Sequence, residues 1–111
     1  MAEVSDDVLQ GMVDEIVREV DPDAIVLFGS WARGHAGADS DLDLLIVEPE
    51  PFTPHRSRRR ELQRVRRALS RFRVPKDLLV YSSDEVARWR RSAGHVIGRA
   101  FREGRVLYER S

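Results

Sequence analysis

With 111 residues, 41% of them hydrophobic and 34% charged, the chain has the size of one ordinary domain and a composition that excludes a disordered tract, so a single domain over 1–111 is expected. No run approaches the roughly 18 apolar residues of a membrane span, the acidic start (Glu3, Asp6, Asp7) is the opposite of a signal peptide, and zero cysteines exclude disulfides, thiolate metal sites and a cysteine nucleophile while fitting a reducing cytoplasm. The net charge is zero, yet residues 1–50 hold 13 acids against 2 arginines and residues 51–111 hold 17 bases against 6 acids; that balance argues against direct nucleic-acid binding but gives each half a field that could attract a charged ligand or partner.

The first element is read as a helix. Ser5 suits its N-cap, Asp6 and Asp7 suit the positive end of its dipole, and Val8, Leu9, Met12, Val13, Ile16, Val17 and Val20 recur at helical spacing. Asp21-Pro22-Asp23 ends it. Ala24 to Phe28 is a short β-branched run entering a tight turn at Gly29-Ser30, and Asp41 to Val47 is a second buried strand. Between them, Ser30 to Arg33 is read as one helical turn, followed by a loop through Gly34, Gly37 and Asp39.

Pro49, Pro51 and Pro54 interrupt regular structure before a helix expected over 56–72. Its apolar stripe is Leu62, Val65, Leu69 and Phe72, which leaves Arg60, Arg64, Arg67 and Arg71 on a basic outer face. Lys76 to Tyr81 reads as a third strand. Ser82-x-x-Glu85 has the form of a capping box for a helix through Trp89, a last helix runs from about His95 to Glu103, Gly104 closes it, and Arg105 to Tyr108 suits an edge strand.

Strand alternation puts Asp41 and Asp43 on one face, about 6.5 to 7 Å apart, while Leu42, Leu44 and Ile46 face the other way. Two carboxylates at the end of an apolar strand repel each other unless a positive charge lies between them. A hard divalent cation such as Mg²⁺ takes one or two protein carboxylates and completes its shell with water and phosphate oxygens. Gly29-Ser30, at the start of a helical turn, offers backbone N–H groups and a hydroxyl where an anionic phosphate is favoured. The donor set therefore points to a nucleotide.

Phe28-Gly29-Ser30-Trp31-Ala32-Arg33-Gly34 followed by Ser40-Asp41-Leu42-Asp43-Leu44 resembles the Gly-Ser, ten residues, Asp-x-Asp signature of the DNA polymerase beta-like nucleotidyltransferase superfamily. Within it, the small size and the ending Gly94-His95-Val96-Ile97 through Gly104-Arg105-Val106-Leu107-Tyr108 resemble the minimal nucleotidyltransferases, or MNT domains, over nearly the whole chain. The resemblance implies an α/β (α+β) nucleotidyltransferase fold, a small mixed β-sheet flanked by helices. It also implies a third carboxylate on a later strand, carried to Asp77 as the only acid of the third expected strand. In the implied chemistry Asp41, Asp43 and Asp77 hold Mg²⁺, Gly29 and Ser30 cradle the β and γ phosphates of ATP, and Arg33 supports a phosphate or the local structure.

The resemblance extends to antitoxins of HEPN/MNT toxin-antitoxin pairs, which implies AMP transfer to a tyrosine of a HEPN-type toxin and a hetero-oligomer with it. Two alternatives stay open: a small-molecule nucleotidyltransferase of the antibiotic-modifying kind, and a non-catalytic nucleotide-binding or toxin-masking module. The basic helix reads equally well as a solvated face or a partner surface, since few acids stand near the nine arginines between Arg56 and Arg73 in sequence. His35, His55 and His95 lack metal-ligand spacing and read as loop or surface residues. Trp31 and Trp89 read as packing groups, with Trp31 near enough to the expected phosphates for a substrate contact.

Overall fold

A computed structural model describes residues 4–32, 34 and 41–110. In chain order they form α1 (Asp6–Val20), β1 (Ala24–Phe28), α2 (Gly29–Ala32), β2 (Leu42–Glu48), α3 (Arg58–Ala68), β3 (Lys76–Ser82), α4 (Ser83–Trp89), α5 (Val96–Glu103) and β4 (Arg105–Glu109). The expected order holds throughout.

The four strands make one mixed sheet in the order β3-β2-β1-β4. β1 pairs antiparallel with β2 and with β4, and β2 pairs parallel with β3. A parallel neighbour requires a crossover; α3 supplies it. β4 carries a bulge where its register against Ile25 and Val26 shifts, and it forms the edge that the Arg105–Tyr108 pattern suggests.

Helices cover both faces. Leu9, Met12, Val13 and Ile16 of α1 and Val65 and Leu69 of the α3 region pack on Ile25, Leu27, Leu42, Leu44, Ile46, Leu78 and Val80. On the other face Val86, Ile97 and Ala100 pack on Ala24, Val26, Phe28, Leu45 and Val47. Because both faces are covered, β1 is buried at every position, which is why it reads as a continuous apolar run instead of an alternating one.

The ends of the elements follow their local chemistry. Ser5 accepts the Val8 N–H at 3.2 Å, and Asp21 closes α1 in the left-handed region at φ 47°. The capping box at Ser82 and Glu85 is formed, with each side chain accepting from the other's backbone N–H. α3 is shorter than the expected 56–72. Ser57 caps its start, and Leu69 leaves the helix on the way to β3, so Arg56 and Phe72 lie outside it. Asp41 likewise falls one residue before β2, and the helical turn begins at Gly29, one residue earlier than expected. No helix among the described residues is long and apolar enough to cross a membrane.

Candidate active site

β2 is a central strand, and its first residues set the site. Leu42 and Leu44 are buried in the α1/α3 layer, so alternation turns Asp43, half-buried, to the opposite face. The Leu42 N–H donates to the Pro75 carbonyl at 2.9 Å, which ties the start of β2 to the residue preceding β3. Asp41, exposed, stands just outside this tie.

β1 and β3 bring the other residues to the same end of the sheet. In the parallel register Asp43 is the partner of Asp77, and in the antiparallel register it is the partner of Phe28, whose next residue is Gly29. Neighbouring strands lie about 4.8 Å apart, and register-matched residues of a parallel pair project to the same side. Asp43 and Asp77 are therefore laid side by side, and Asp41 continues the acidic face beyond the strand end.

Gly29 sits directly against this acid. Its φ is +73°, and a Cβ built there would lie 2.1 Å from Asp43 Oδ2 and 3.1 Å from its Cγ. Both the backbone conformation and the lack of a side chain are required. Ser30 follows in the first turn of α2, partly exposed. Arg33, with His35, Gly37, Asp39 and Ser40, lies outside the described residues.

The donor set can be tested against a divalent cation. Asp41, Asp43 and Asp77 offer only hard oxygens, and the groove beside Asp43 is one that a Cβ at position 29 would fill. Among the described residues no three His, Asp or Glu side chains converge as a ready-made metal cage. Mg²⁺ does not need one, since substrate phosphates and water complete its octahedron. The register pair Asp43 and Asp77 thus offers the one or two carboxylates that such an ion takes from a protein.

The chain's single lysine, at this end of the sheet, is engaged by backbone carbonyls. Lys76 Nζ donates to the carbonyls of Phe72 at 2.8 Å and Val74 at 2.9 Å, and burial pulls its pKa down. Its register partner is Leu42, on the face away from Asp43. It ties the chain between α3 and β3, an anchoring role that residue type alone would not reveal. Trp31 packs on the α1/α3 core, as a packing residue should.

His95, expected as a surface residue, caps α5: its Nδ1 accepts the Ile97 N–H at 3.1 Å. Its ring stacks on Trp89, with centroids 4.7 Å apart. Histidine is not a preferred cap, and its ring contacts with both Trp89 and Tyr81 account for the choice.

Residues 9–107 match the profile of a family described as nucleotidyltransferase domain. No curated protein matches the chain significantly. Among solved structures, a toxin-antitoxin crystallised with AMP-PNP superposes with a TM-score of 0.54 at 21% identity, covering 92% of this chain and 74% of that one. A mutant of the toxin-antitoxin MntA-HpeT superposes with a TM-score of 0.50 at 20% identity, covering 89% of this chain and 72% of that one. A second MntA-HpeT mutant reaches 0.51 at 18% identity, over 98% and 76%. These likenesses concern the fold.

Proposed function

This chain belongs to the nucleotidyltransferase domain family, and on that premise we propose that it transfers AMP from ATP to a tyrosine hydroxyl of a HEPN-type RNase toxin and so acts as the antitoxin of that pair. The observation that carries the reading is the placement of Asp43, in register beside Asp77 on one side and directly against the side-chain-free Gly29 on the other. It favours a ligand with both a divalent cation and a phosphate chain. The toxin-antitoxin structures with similar folds, one of them bound to AMP-PNP, support the choice of donor and of partner class.

In this proposal the α2 turn, with Gly29 and Ser30, receives the β and γ phosphates at its N–H groups, with Arg33 supporting them. Asp41, Asp43 and Asp77 would hold Mg²⁺, which when bound would supply charge neutralisation at the α-phosphate and a lowered pKa for the attacking hydroxyl. The acceptor oxygen forms a bond to the α-phosphorus in line with the bond from that phosphorus to the β-phosphate bridge, which breaks. The hydroxyl proton passes to Asp77, and pyrophosphate leaves. Asp43, fixed between Phe28 and Asp77 in register, orients the donor; Asp41, outside the strand, completes the acidic face. A phenol is a suitable acceptor, since its pKa of about 10 puts the reactive oxygenate within reach of modest activation.

The test is incubation with labelled ATP, Mg²⁺ and the product of an adjacent HEPN-type reading frame, read by intact and peptide mass spectrometry. AMP on a toxin tyrosine, lost with Asp41→Asn/Asp43→Asn, is the expected result. AMP transfer to small hydroxylated substrates alone would favour the antibiotic-modifying alternative, and toxin neutralisation without any transfer would favour the masking module.

A further inference from the structure

Part of the charge imbalance between the two halves of the chain is cancelled by ion pairs inside the fold, and one group of the remaining arginines is gathered on a single helix. Arg56 pairs with Glu48 at 2.6 Å, Arg58 with Glu85 at 2.5 Å, Arg64 with Glu19 at 3.2 Å and with Glu61 at 3.1 Å, and Arg71 with Glu15 at 3.2 Å. Arg64 and Arg71, expected on a free basic face, are therefore committed to α1. The other arginines of this stretch, Arg59, Arg60, Arg66, Arg67 and Arg73, are exposed, and their guanidinium groups enter no ion pair or ring contact among the described residues.

Four of these five share one face of α3. At 3.6 residues per turn, Arg59, Arg66, Arg67 and Arg60 fall within an arc of about 120°, with only Gln63 between them, opposite Val65 and Leu69, which are fully buried. Arg59 and Arg66, and again Arg60 and Arg67, repeat two turns apart, about 10.5 Å along the axis. Like charges gathered so closely raise the free energy of the isolated protein. An acidic surface pressed against them would remove that cost.

We infer that the exposed face of α3 is a docking surface for a partner protein that presents an acidic helical face, with carboxylates repeating at the same two-turn interval. Guanidinium forks suit carboxylates at close range. The arc contains no aromatic side chain and thus no platform on which bases of a single strand could stack. With a net charge of zero, the molecule also has little long-range field to gather a polyanion, so recognition rests on short, geometry-matched pairs. α3 lies on the sheet face opposite to Asp43, and a partner seated there leaves the nucleotide end open. The inference does not depend on nucleotidyl transfer.

The probes are a labelled helical peptide three heptads long with glutamates along one face, a peptide of the same composition with its glutamates spread around the helix, and a single-stranded RNA oligomer. Affinities are read by fluorescence anisotropy across a salt series. The expected result is that the one-faced peptide binds roughly tenfold tighter than its isomer. Arg59→Gln/Arg66→Gln/Arg67→Gln should abolish that preference while keeping the circular dichroism spectrum, and Arg88→Gln/Arg91→Gln, on exposed arginines elsewhere, should retain it. Equal binding of the two peptides, or an unchanged preference in the triple variant, overturns the inference. Tighter binding of the RNA than of the one-faced peptide, lost with the same three arginines, overturns it in favour of a nucleic-acid surface.

Discussion

Gly29 and Asp43 are in such close approach that a Cβ on the first would lie 2.1 Å from a carboxylate oxygen of the second. Gly29→Ala therefore carries two penalties, a left-handed backbone worth about 1 kcal/mol or more and a displaced Asp43. Nucleotidyl transfer should fall by about 100-fold or more, since misplacing a reacting group by about 1 Å has that effect. The loss of thermal stability should be a few degrees, read by differential scanning fluorimetry. Near-normal transfer by the alanine variant would show that Asp43 has no fixed role.

Asp77 separates a catalytic contribution from a structural one. It is exposed and stands in register with Asp43, so neutralising it relieves repulsion across the parallel pair by a few tenths of a kcal/mol. Asp77→Asn should leave the metal-free melting temperature unchanged or slightly raised, while kcat drops by about 100-fold or more. Retention of kcat would remove Asp77 from the proposed acidic set.

Ligand-linked stability gives a readout independent of the acceptor. With Mg²⁺ and a non-hydrolysable ATP analogue at about 100 times Kd, folding should gain about 2.7 kcal/mol, on the order of 10 °C in melting temperature for a domain of this size. The gain should vanish on adding excess chelator and in Asp41→Asn/Asp43→Asn. A shift that persists without the metal would indicate nucleotide binding through the α2 turn alone.

At the other end of β2 lies a buried acid pair. Glu48 is 1% exposed, its Oε1 accepts from Arg56, and its Oε2 is buried without a hydrogen-bond partner. Burial, reinforced by neighbouring Glu61 and opposed by Arg56, pushes the Glu48 carboxyl up to about 7. Burial pushes Glu61 up as well, but the adjoining Glu48 carboxyl and the hydrogen bonds from Arg64 outweigh that and hold it below its ordinary value. A raised folded pKa means that Glu48's contribution is complete below its unfolded pKa and is lost as pH rises through about 7. Glu61 runs the other way, contributing above its unfolded pKa and losing that as pH falls through its depressed value. Between about pH 5 and about pH 8 wild type should lose on the order of 2 kcal/mol, and Glu48→Gln should flatten that slope and melt higher at the alkaline end. An unchanged slope in the glutamine variant would assign it to another group.

Arg58 joins α3, β3 and α4 through one planar group. It donates to both Glu85 oxygens and to the Val80 carbonyl, and it lies over the rings of Phe52 and Tyr81. Lysine keeps the charge but neither the fork nor the stacking plane. Arg58→Lys should cost about 1.5 to 3 kcal/mol in a denaturant titration. A cost indistinguishable from zero would mean that the exposed part of the pair is screened by solvent.

The sequence was most legible where the signal is local. The β-branched run at 24–28, the caps at Ser5 and Ser82, and the alternation that turns Asp43 away from Leu42 and Leu44 each depend on a few neighbouring residues, and all appear in the fold. Asp77 was nameable only from the family likeness, because its register with Asp43 depends on a parallel crossover that no local pattern encodes. The arginine pairs were illegible for the same reason: Arg64 and Arg71 meet Glu19 and Glu15 from a helix far back in the chain. Boundary errors at Asp41 and at both ends of α3 arose where caps and turns, not periodicity, decide the last residue.

The one parallel pairing in the sheet also has a temporal meaning. Gly29, Asp41 and Asp43 are synthesised well before Asp77, and β2 finds its parallel neighbour only after α3 has been made and folded back. A nascent chain that stops short of β3 lacks the acid laid beside Asp43 as well as the strand that supports it. Strand pairing at this end of the sheet is thus coupled to translation reaching β3, and a truncated product retains the Gly-Ser and Asp-x-Asp sequence without the register that sets Asp77 beside Asp43.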